Sequence, residues 1–514
     1  MPNDRDATRT RAARGTQALP PWSPHPSPEA LREAFLRVFP GVMVAMFLAA
    51  IDQTILASAL PSIAGSLGDF DDVSWVVLAY LLATTIVAPL YGHLGDRFGR
   101  RRMLLAALAL FTLASVACAL APTLWLLVAA RALQGMGGGG LMTMSQSLIS
   151  ENIPPRERAR FQGYFAAMFA TSSTAGPVLG ALLTQYFSWR AVFVINLPLG
   201  AIAAWLAWRI PAQQLVHTER FKADVGGTLL FASGMLALLF GLSSAGHRFG
   251  FGDPALYAIL AFAVVCLVAL VGWERRRDDP VIPIALLAQP VILRSNLVVM
   301  TFASALFSAV LYLPLYLQLG RGFAIGASGL LLLPLTLSIA AASSLTGRRI
   351  ARTGDLTRYP RRGLFVATVA FVALGASVHF APIALVLALT VMAGIGLGTV
   401  MPSIQIIVQT AGGQKALGRA VASIAVARAV GGSLGIAVVG ALLVTFLAHR
   451  DPTVAAILPR LAESGGALMA TLSDAQRTAL TNVVDVAFRV VFWLVACVTA
   501  TGTVLASRIP RQRL

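Results

Sequence analysis

Cysteine, histidine and charge are all scarce in this chain. Only 3 cysteines occur in 514 residues, Cys118, Cys266 and Cys497, and each lies within an apolar stretch, which argues against a disulfide framework or a cysteine metal site. The 6 histidines, at positions 25, 93, 217, 247, 379 and 449, are scattered, and no sequence-local metal or nucleophile motif accompanies them. An enzyme is therefore not expected, nor a metal, nor a cofactor. Charged residues make up 12% of the chain against 57% hydrophobic residues, with a mean hydropathy of +0.76. A chain this long and this apolar cannot hide its surface in one water-soluble core, so its solvent is lipid. No short apolar region with a small-residue cleavage site precedes the first long apolar stretch, so no cleavable signal peptide is expected.

What the chain has instead is long apolar runs. A membrane-spanning helix needs about 20 apolar residues, and fourteen candidate spans follow one another, from 38–60 through 123–148 (the fourth) and 382–409 (the twelfth) to 486–507. The expected fold class is an all-α integral membrane protein with 14 transmembrane helices. An even number puts both termini on one side. Most of the 40 Lys and Arg fall in the termini and in the loops on that side, which makes it cytoplasmic. The formal charge of +18 then has a membrane explanation: Arg275, Arg276 and Arg277, and Arg348, Arg349 and Arg352, face anionic lipid, and no nucleic-acid partner is needed. Residues 1–34, basic and rich in proline, are expected to be a disordered cytoplasmic tail with a short amphipathic piece from Glu29 to Arg37. One long outer loop, 449–485, is either a passive lid over the outer vestibule or a docking surface for a periplasmic adaptor protein.

An internal repeat organises the spans. Gly135, Gly137, Gly139, Met142 and Gln146 recur as Gly394, Gly396, Gly398, Met401 and Gln405, each pair 259 positions apart. Gly176, Leu179 and Gly180 line up with Gly431, Leu434 and Gly435 at a shift of 255. Both matches pair span n with span n + 8. Residues 35–210 and 281–514 are thereby expected to be two related six-helix bundles in the same orientation, with two inserted helices in 211–280. Parallel halves of this kind bind substrate between the bundles and alternate access by rocking.

Polar groups inside the spans are the candidate site. Asp52 sits in the first span, and an ionised Asp at a helix centre costs about 2.5–3.5 kcal/mol on insertion scales, so it must face a polar environment. It reads as a proton carrier or substrate counter-charge, or else as a structural carboxylate. Arg131 in the fourth span needs a partner for the same reason, either for coupling or for structural pairing. Arg428 in the thirteenth span is the second intramembrane cation, for coupling or for bonding freed helix carbonyls. Gln134 and Asn196, with Gln146, Gln318, Gln405 and Gln409, line a polar path or serve as amide glue between helices. Gly176 beside Pro177 predicts a bend in the fifth helix. Between spans two and three, Asp96 is placed to cap a neighbouring helix, and Arg97 or Arg100 to pair with Glu151 as a cytoplasmic gate.

The stretch Gly92, Asp96, Arg97, Gly99, Arg100, Arg101 resembles the Gly-x-x-x-Asp-Arg-x-Gly-Arg-Arg loop of the major facilitator superfamily, and it lies where that family has it. Ile51, Asp52, Gln53, Thr54 leading to Ala59, Leu60, Pro61 is similar to the first-helix motif of its fourteen-helix drug:proton antiporters, the EmrB/QacA type. Arg131, Gln134, Gly135 resembles their fourth-helix motif, and Gly176, Pro177, Gly180 resembles the helix-five antiporter motif. Trp189, Arg190, Phe193, Asn196 and Pro198 fit the same branch. The resemblance implies a major-facilitator fold and export of amphipathic small molecules driven by proton entry, with the proton gradient as energy source and Asp52 and Arg131 at the coupling positions. A dedicated exporter of one metabolite or antibiotic uses the same fold, and a non-antiport facilitator or membrane sensor is the more distant alternative. The implied location is a bacterial inner membrane. Ser172 and Ala181 depart from the helix-five pattern, and spans nine to fourteen carry no deep Asp or Glu, which argues against strictly cationic substrates.

Overall fold

The computed structural model describes residues 28–67, 72–211, 224–245, 249–250, 252–277, 280, 283–323, 325–414, 416–450 and 474–514. Residues 1–27 of the expected tail and 451–473 of the expected outer loop lie outside them. Every regular element described is helical, apart from two isolated bridges, Ala245 with Phe249 and Asp355 with Arg513. Lipid demands this, because a helix satisfies each backbone N–H and C=O within its own segment.

The long helices are α1 (Pro28–Ile55), α2 (Trp75–Phe98), α3 (Arg100–Leu120), α4 (Leu124–Asn152), α5 (Pro155–Tyr186), α6 (Asn196–Trp208), α7 (Val225–Ser244) and α8 (Pro254–Glu274). They continue as α9 (Pro290–Leu319), α10 (Leu333–Thr353), α11 (Arg358–Ser377), α12 (Ile383–Gly398), α13 (Val400–Gly412), α14 (Leu417–Arg450) and α15 (Asp474–Ser507). Twelve segments of the described residues are long and apolar enough to cross a membrane. Outside those twelve, α4 and α11 lie where the fourth and eleventh spans are expected. The amphipathic piece Glu29–Arg37 is continuous with the first span in α1. That span does not run unbroken to residue 60: it ends at Ile55, passes through a 3-10 turn, Leu56–Ser58, and resumes as Leu60–Leu67. Pro61 is the cause, since it has no N–H to continue the ladder. Caps mark other boundaries. Thr123 accepts from Leu126 N at the start of α4, and Asp253 from Ala255 N at the start of α8. Gly99, at φ 94°, makes the sharp joint between α2 and α3 that a side chain would resist.

The contacts divide the chain into two compact units: residues 1–155, 172–223 and 414–419, and residues 156–171, 224–413 and 420–514. Helices α7 and α8 of the expected insertion thus fall within the second unit. There α7 and α8 pair through Gly234 on Cys266 and Leu267, while Asp224 caps α7 through Gly227 N and accepts from Trp273 Nε1 at 2.9 Å.

The sequence repeat is a repeated packing device. In the first unit a Cβ on Gly135 would stand 2.4 Å from the Tyr80 carbonyl and one on Gly139 2.5 Å from that of Thr84, both on α2, whereas Gly137 lies against Phe111 of α3. In the second unit Gly394 and Gly398 meet the Leu335 and Ile339 carbonyls of α10, and Gly396 meets Gly363 and Ala367 of α11. Gly176 and Gly180 of α5 lie on Thr54, Ile55 and Ser58; Gly431 and Gly435 of α14 lie on Met300 and Ser304 of α9. Equivalent helices meet at equivalent glycines, because only a missing side chain lets backbones approach this closely in lipid.

Alanine at Gly139 or at Gly398 is therefore expected to destabilise the protein by about 1–3 kcal/mol, the range for overpacking. Gly272→Ala on α8, where nothing lies within 4 Å of the new methyl, should leave stability unchanged. The thermal unfolding midpoint of purified protein in detergent checks both.

Candidate functional site

The constraint at the centre of the first unit is electrostatic: two charges, Asp52 on α1 and Arg131 on α4, are each 1% exposed. Neither can stay ionised there unpaired. Arg131 Nη1 donates to Asp52 Oδ2 at 2.7 Å, and its Nε donates to the Val76 carbonyl of α2 at 3.2 Å. The other carboxylate oxygen accepts from two amides, Gln134 Nε2 at 2.9 Å and Asn196 Nδ2 at 2.8 Å. Gln134 lies one turn after Arg131 on α4, so its Oε1 also receives Arg131 Nη1 at 2.7 Å, while its Nε2 reaches Ser115 Oγ of α3 at 2.8 Å. Cys118 adds its thiol to Gln134 Oε1 at 3.4 Å.

Aromatic rings close the remaining sides. The guanidinium carbon of Arg131 lies 4.2 Å from the Tyr80 ring centre and 5.9 Å from that of Phe193, a cation-π setting for a charge removed from water. Gly135 and Gly138 are what admit Tyr80, since a Cβ on Gly138 would stand 2.3 Å from its hydroxyl. The first, second, third, fourth and sixth helices thus all contribute to one dry polar cluster. Asp52, Arg131, Gln134 and Asn196 are legible as candidates from the sequence, and the structure adds Ser115, Cys118 and Tyr80. Tyr80 had a legible signal in the glycines opposite it, whereas Ser115 and Cys118 had none.

The helix-five motif packs against the end of α1, just past Asp52. Gly176 and Gly180 abut the break that follows Asp52, and Thr54 Oγ1 donates to the Ser172 carbonyl at 2.8 Å. Pro177 lies inside α5, which continues to Tyr186.

A second polar cluster of the first unit lies at the α2–α3 joint. Arg100 pairs with Asp96 at 2.9 Å and with Glu151 at 3.2 Å, and it donates to the Gln414 carbonyl at 3.2 Å. Asp96 in turn accepts from Gly418 N at 2.9 Å and Arg419 N at 3.3 Å, capping the first turn of α14. Gly92 permits this approach, because a Cβ there would meet the Gly418 carbonyl at 2.6 Å. Arg97 sits in the last turn of α2. Arg100, and not Arg97, is the partner of Glu151. The segment 414–419 was not foreseen from sequence, since nothing in a Gly- and Lys-bearing loop names the carboxylate that caps it.

Arg428, in the second unit, is exposed in the middle of α14 with no hydrogen bond or ion pair among the described residues. The second unit repeats the scaffold of the Asp52 cluster but not its chemistry. At the offset of the glycine repeat, Arg131 answers to Thr390 and Gln134 to Ala393; at the offset that matches Ser58 to Ser304, Asp52 answers to Val298. Thr390 bonds only to its own helix, through the Val386 carbonyl.

The pattern of the Major Facilitator Superfamily matches residues 42–436, and the chain belongs to that superfamily of transporters. It is 33% identical over 472 residues to an uncharacterised transporter of that type from Mycobacterium tuberculosis, covering 91% of this chain and 68% of the relative. It is 30% identical over 492 residues to a multidrug resistance protein of Schizosaccharomyces pombe, with 92% of each chain covered. A Bacillus subtilis multidrug transporter is 29% identical over 404 residues, 78% of this chain and 74% of that one. Among solved structures, the human organic anion transporter MFSD10 superposes with a TM-score of 0.63 at 16% identity, covering 92% of this chain and 99% of that one. The proton:xylose symporter XylE superposes with a TM-score of 0.59 at 15% identity, covering 94% and 97%. These two likenesses establish the shared fold.

Removing one member of the buried pair leaves the other uncompensated, so Arg131→Gln alone is expected to destabilise the protein by about 3–5 kcal/mol. Arg131→Gln combined with Asp52→Asn should recover most of that loss, as measured by unfolding midpoints of the purified single and double variants.

Proposed function

We propose that this superfamily member is a proton-coupled antiporter that exports amphipathic small molecules by alternating access, with Asp52 as the proton-carrying group. The observation that carries this reading is the Asp52 carboxylate, buried in a membrane-spanning unit and held by Arg131, Gln134 and Asn196. Protonating Asp52 removes the negative half of the pair and leaves Arg131 a buried cation with only dipoles and rings for company. A network built this way cannot be indifferent to the proton, and its rearrangement is the step to which substrate movement is tied. In the conformation described, the carboxylate is closed to solvent, so proton exchange requires α1, α4 and α6 to part.

Drug efflux as the transported chemistry is supported by relatives named as multidrug transporters or efflux pumps. The fourteen-helix arrangement with both termini in the cytoplasm of an inner membrane completes the reading. On that topology the Asp96, Arg100 and Glu151 cluster lies at the inner end. It holds the 414–419 segment there, and it is the group of contacts that must release when the inner side opens. Arg428, an exposed guanidinium half-way along a membrane helix, is the remaining substrate-facing candidate.

Purified protein in liposomes tests this. With an imposed proton gradient, native protein should concentrate a drug substrate from a panel of amphipathic compounds, and Asp52→Asn should lose gradient-driven accumulation while retaining downhill exchange. Accumulation by the variant at the native rate contradicts the assignment. Transport of one compound alone from the panel identifies a dedicated exporter with the same coupling.

A further inference from the structure

A cavity of about 660 Å³ in the second unit belongs to none of the sites above. It lies where the first turns of α11 meet the end of α15 and the C-terminal segment that follows it, and Arg358, Arg361, Arg362, Arg511 and Arg513 all line it. Asp355 is the one carboxylate among the lining residues, and its Oδ1 is engaged by the Thr357 and Arg358 amides. None of the five guanidinium groups has a hydrogen bond or ion pair among the described residues. The C-terminal segment that carries Arg511 and Arg513 is fixed in place by an isolated bridge: Leu356 N donates to the Gln512 carbonyl at 3.1 Å and Leu514 N to the Gly354 carbonyl at 2.9 Å. Five cations are therefore gathered by a built fold around one hollow.

The position of the hollow adds a second constraint. Phe365 lines it, and Phe365, Val369 and Val372 follow one another at helical spacing on α11 with exposures of 59%, 44% and 46%. Val504 of α15 is likewise exposed, at 51%. An apolar strip thus leads from the cationic hollow into the hydrocarbon depth of the span. A soluble phosphate would use the guanidinium groups but leave this strip unexplained, whereas a lipid uses both.

We propose that this cavity is a binding site for the phosphate-bearing headgroup of an anionic phospholipid, with its acyl chains lying along Phe365, Val369 and Val372. Arg361, Arg362 and Arg511 hold the phosphate, Arg358 and Arg513 add to the attraction, and Thr357, Thr503 and Ser507 supply hydroxyl groups for the headgroup. The orientation with both termini cytoplasmic places the site in the inner leaflet, where such lipids give the surface its negative potential.

The full-length protein in neutral detergent, titrated with phosphatidylglycerol, phosphatidylcholine and glycerol phosphate, tests the site through the ligand-induced rise in unfolding temperature. Phosphatidylglycerol should bind saturably, and the other two should not. Arg361→Gln, Arg362→Gln and Arg511→Gln together should weaken phosphatidylglycerol by about tenfold to a hundredfold. The charge-matched change of Arg9, Arg11 and Arg14 to Gln should leave it unaltered. A photoactivatable phosphatidylglycerol on the native protein, which needs no variant to fold, should label peptides within 358–372 and 503–513. Equal binding of phosphatidylcholine, an equal loss in the control variant, or labelling elsewhere overturns the site. Competition by glycerol phosphate at the same phosphate concentration overturns the lipid in favour of a small anion.

Discussion

An aspartate and an arginine taken out of water together set the terms for the whole first unit. Each would be intolerable in lipid alone, so α1 and α4 must meet at the height where Asp52 and Arg131 face one another. The remaining lone pairs and protons then dictate the neighbours. Gln134 must follow Arg131 by one turn, Asn196 must arrive from α6, and Ser115 from α3. Bringing that many helices to one point is impossible with side chains between them. The glycines from Gly135 to Gly140 are the structural answer, placing α4 against the backbones of α2 and α3.

The second unit shows that scaffold and chemistry separate. Its glycines at 394, 396 and 398 and at 431 and 435 rebuild the same helix contacts. Yet Val298, Thr390 and Ala393 stand where the first unit has Asp52, Arg131 and Gln134. At these equivalent positions one half of the repeat holds the Asp52–Arg131 network and the other plain packing; the second unit's own buried carboxylate, Asp485, pairs elsewhere, with His379 Nδ1 at 3.2 Å. Arg428 is exposed on α14 with no hydrogen bond or ion pair among the described residues.

What the sequence made legible follows from the physics of lipid. Buried charges are so costly in hydrocarbon that Asp52 and Arg131 announce themselves among apolar neighbours, and the glycine repeat is readable because close backbone approach tolerates no other residue. Apolar runs locate the helices, with α4 and α11 outside the twelve segments long and apolar enough to span, but they do not show the break after Ile55, which depends on Pro61 and on the seat that Gly176 and Gly180 provide. Ser115, Cys118 and Tyr80 stayed hidden, since each residue type is common in membrane helices and acquires meaning only from its neighbours. The capping of Gly418 and Arg419 by Asp96 was half legible: the carboxylate was recognised as a cap in search of a helix, but its partner lies more than three hundred residues away and no local pattern points to it.

Coupling through Asp52 requires that this carboxylate itself take up and give back a proton. Infrared difference spectroscopy of the purified protein as substrate is added reads this directly, because a protonated carboxylic acid has a carbonyl band of its own. Substrate should discharge such a band in the native protein, and Asp52→Asn should lack it. A band that persists unchanged in the Asp52→Asn protein would place the proton on another group and contradict the mechanism.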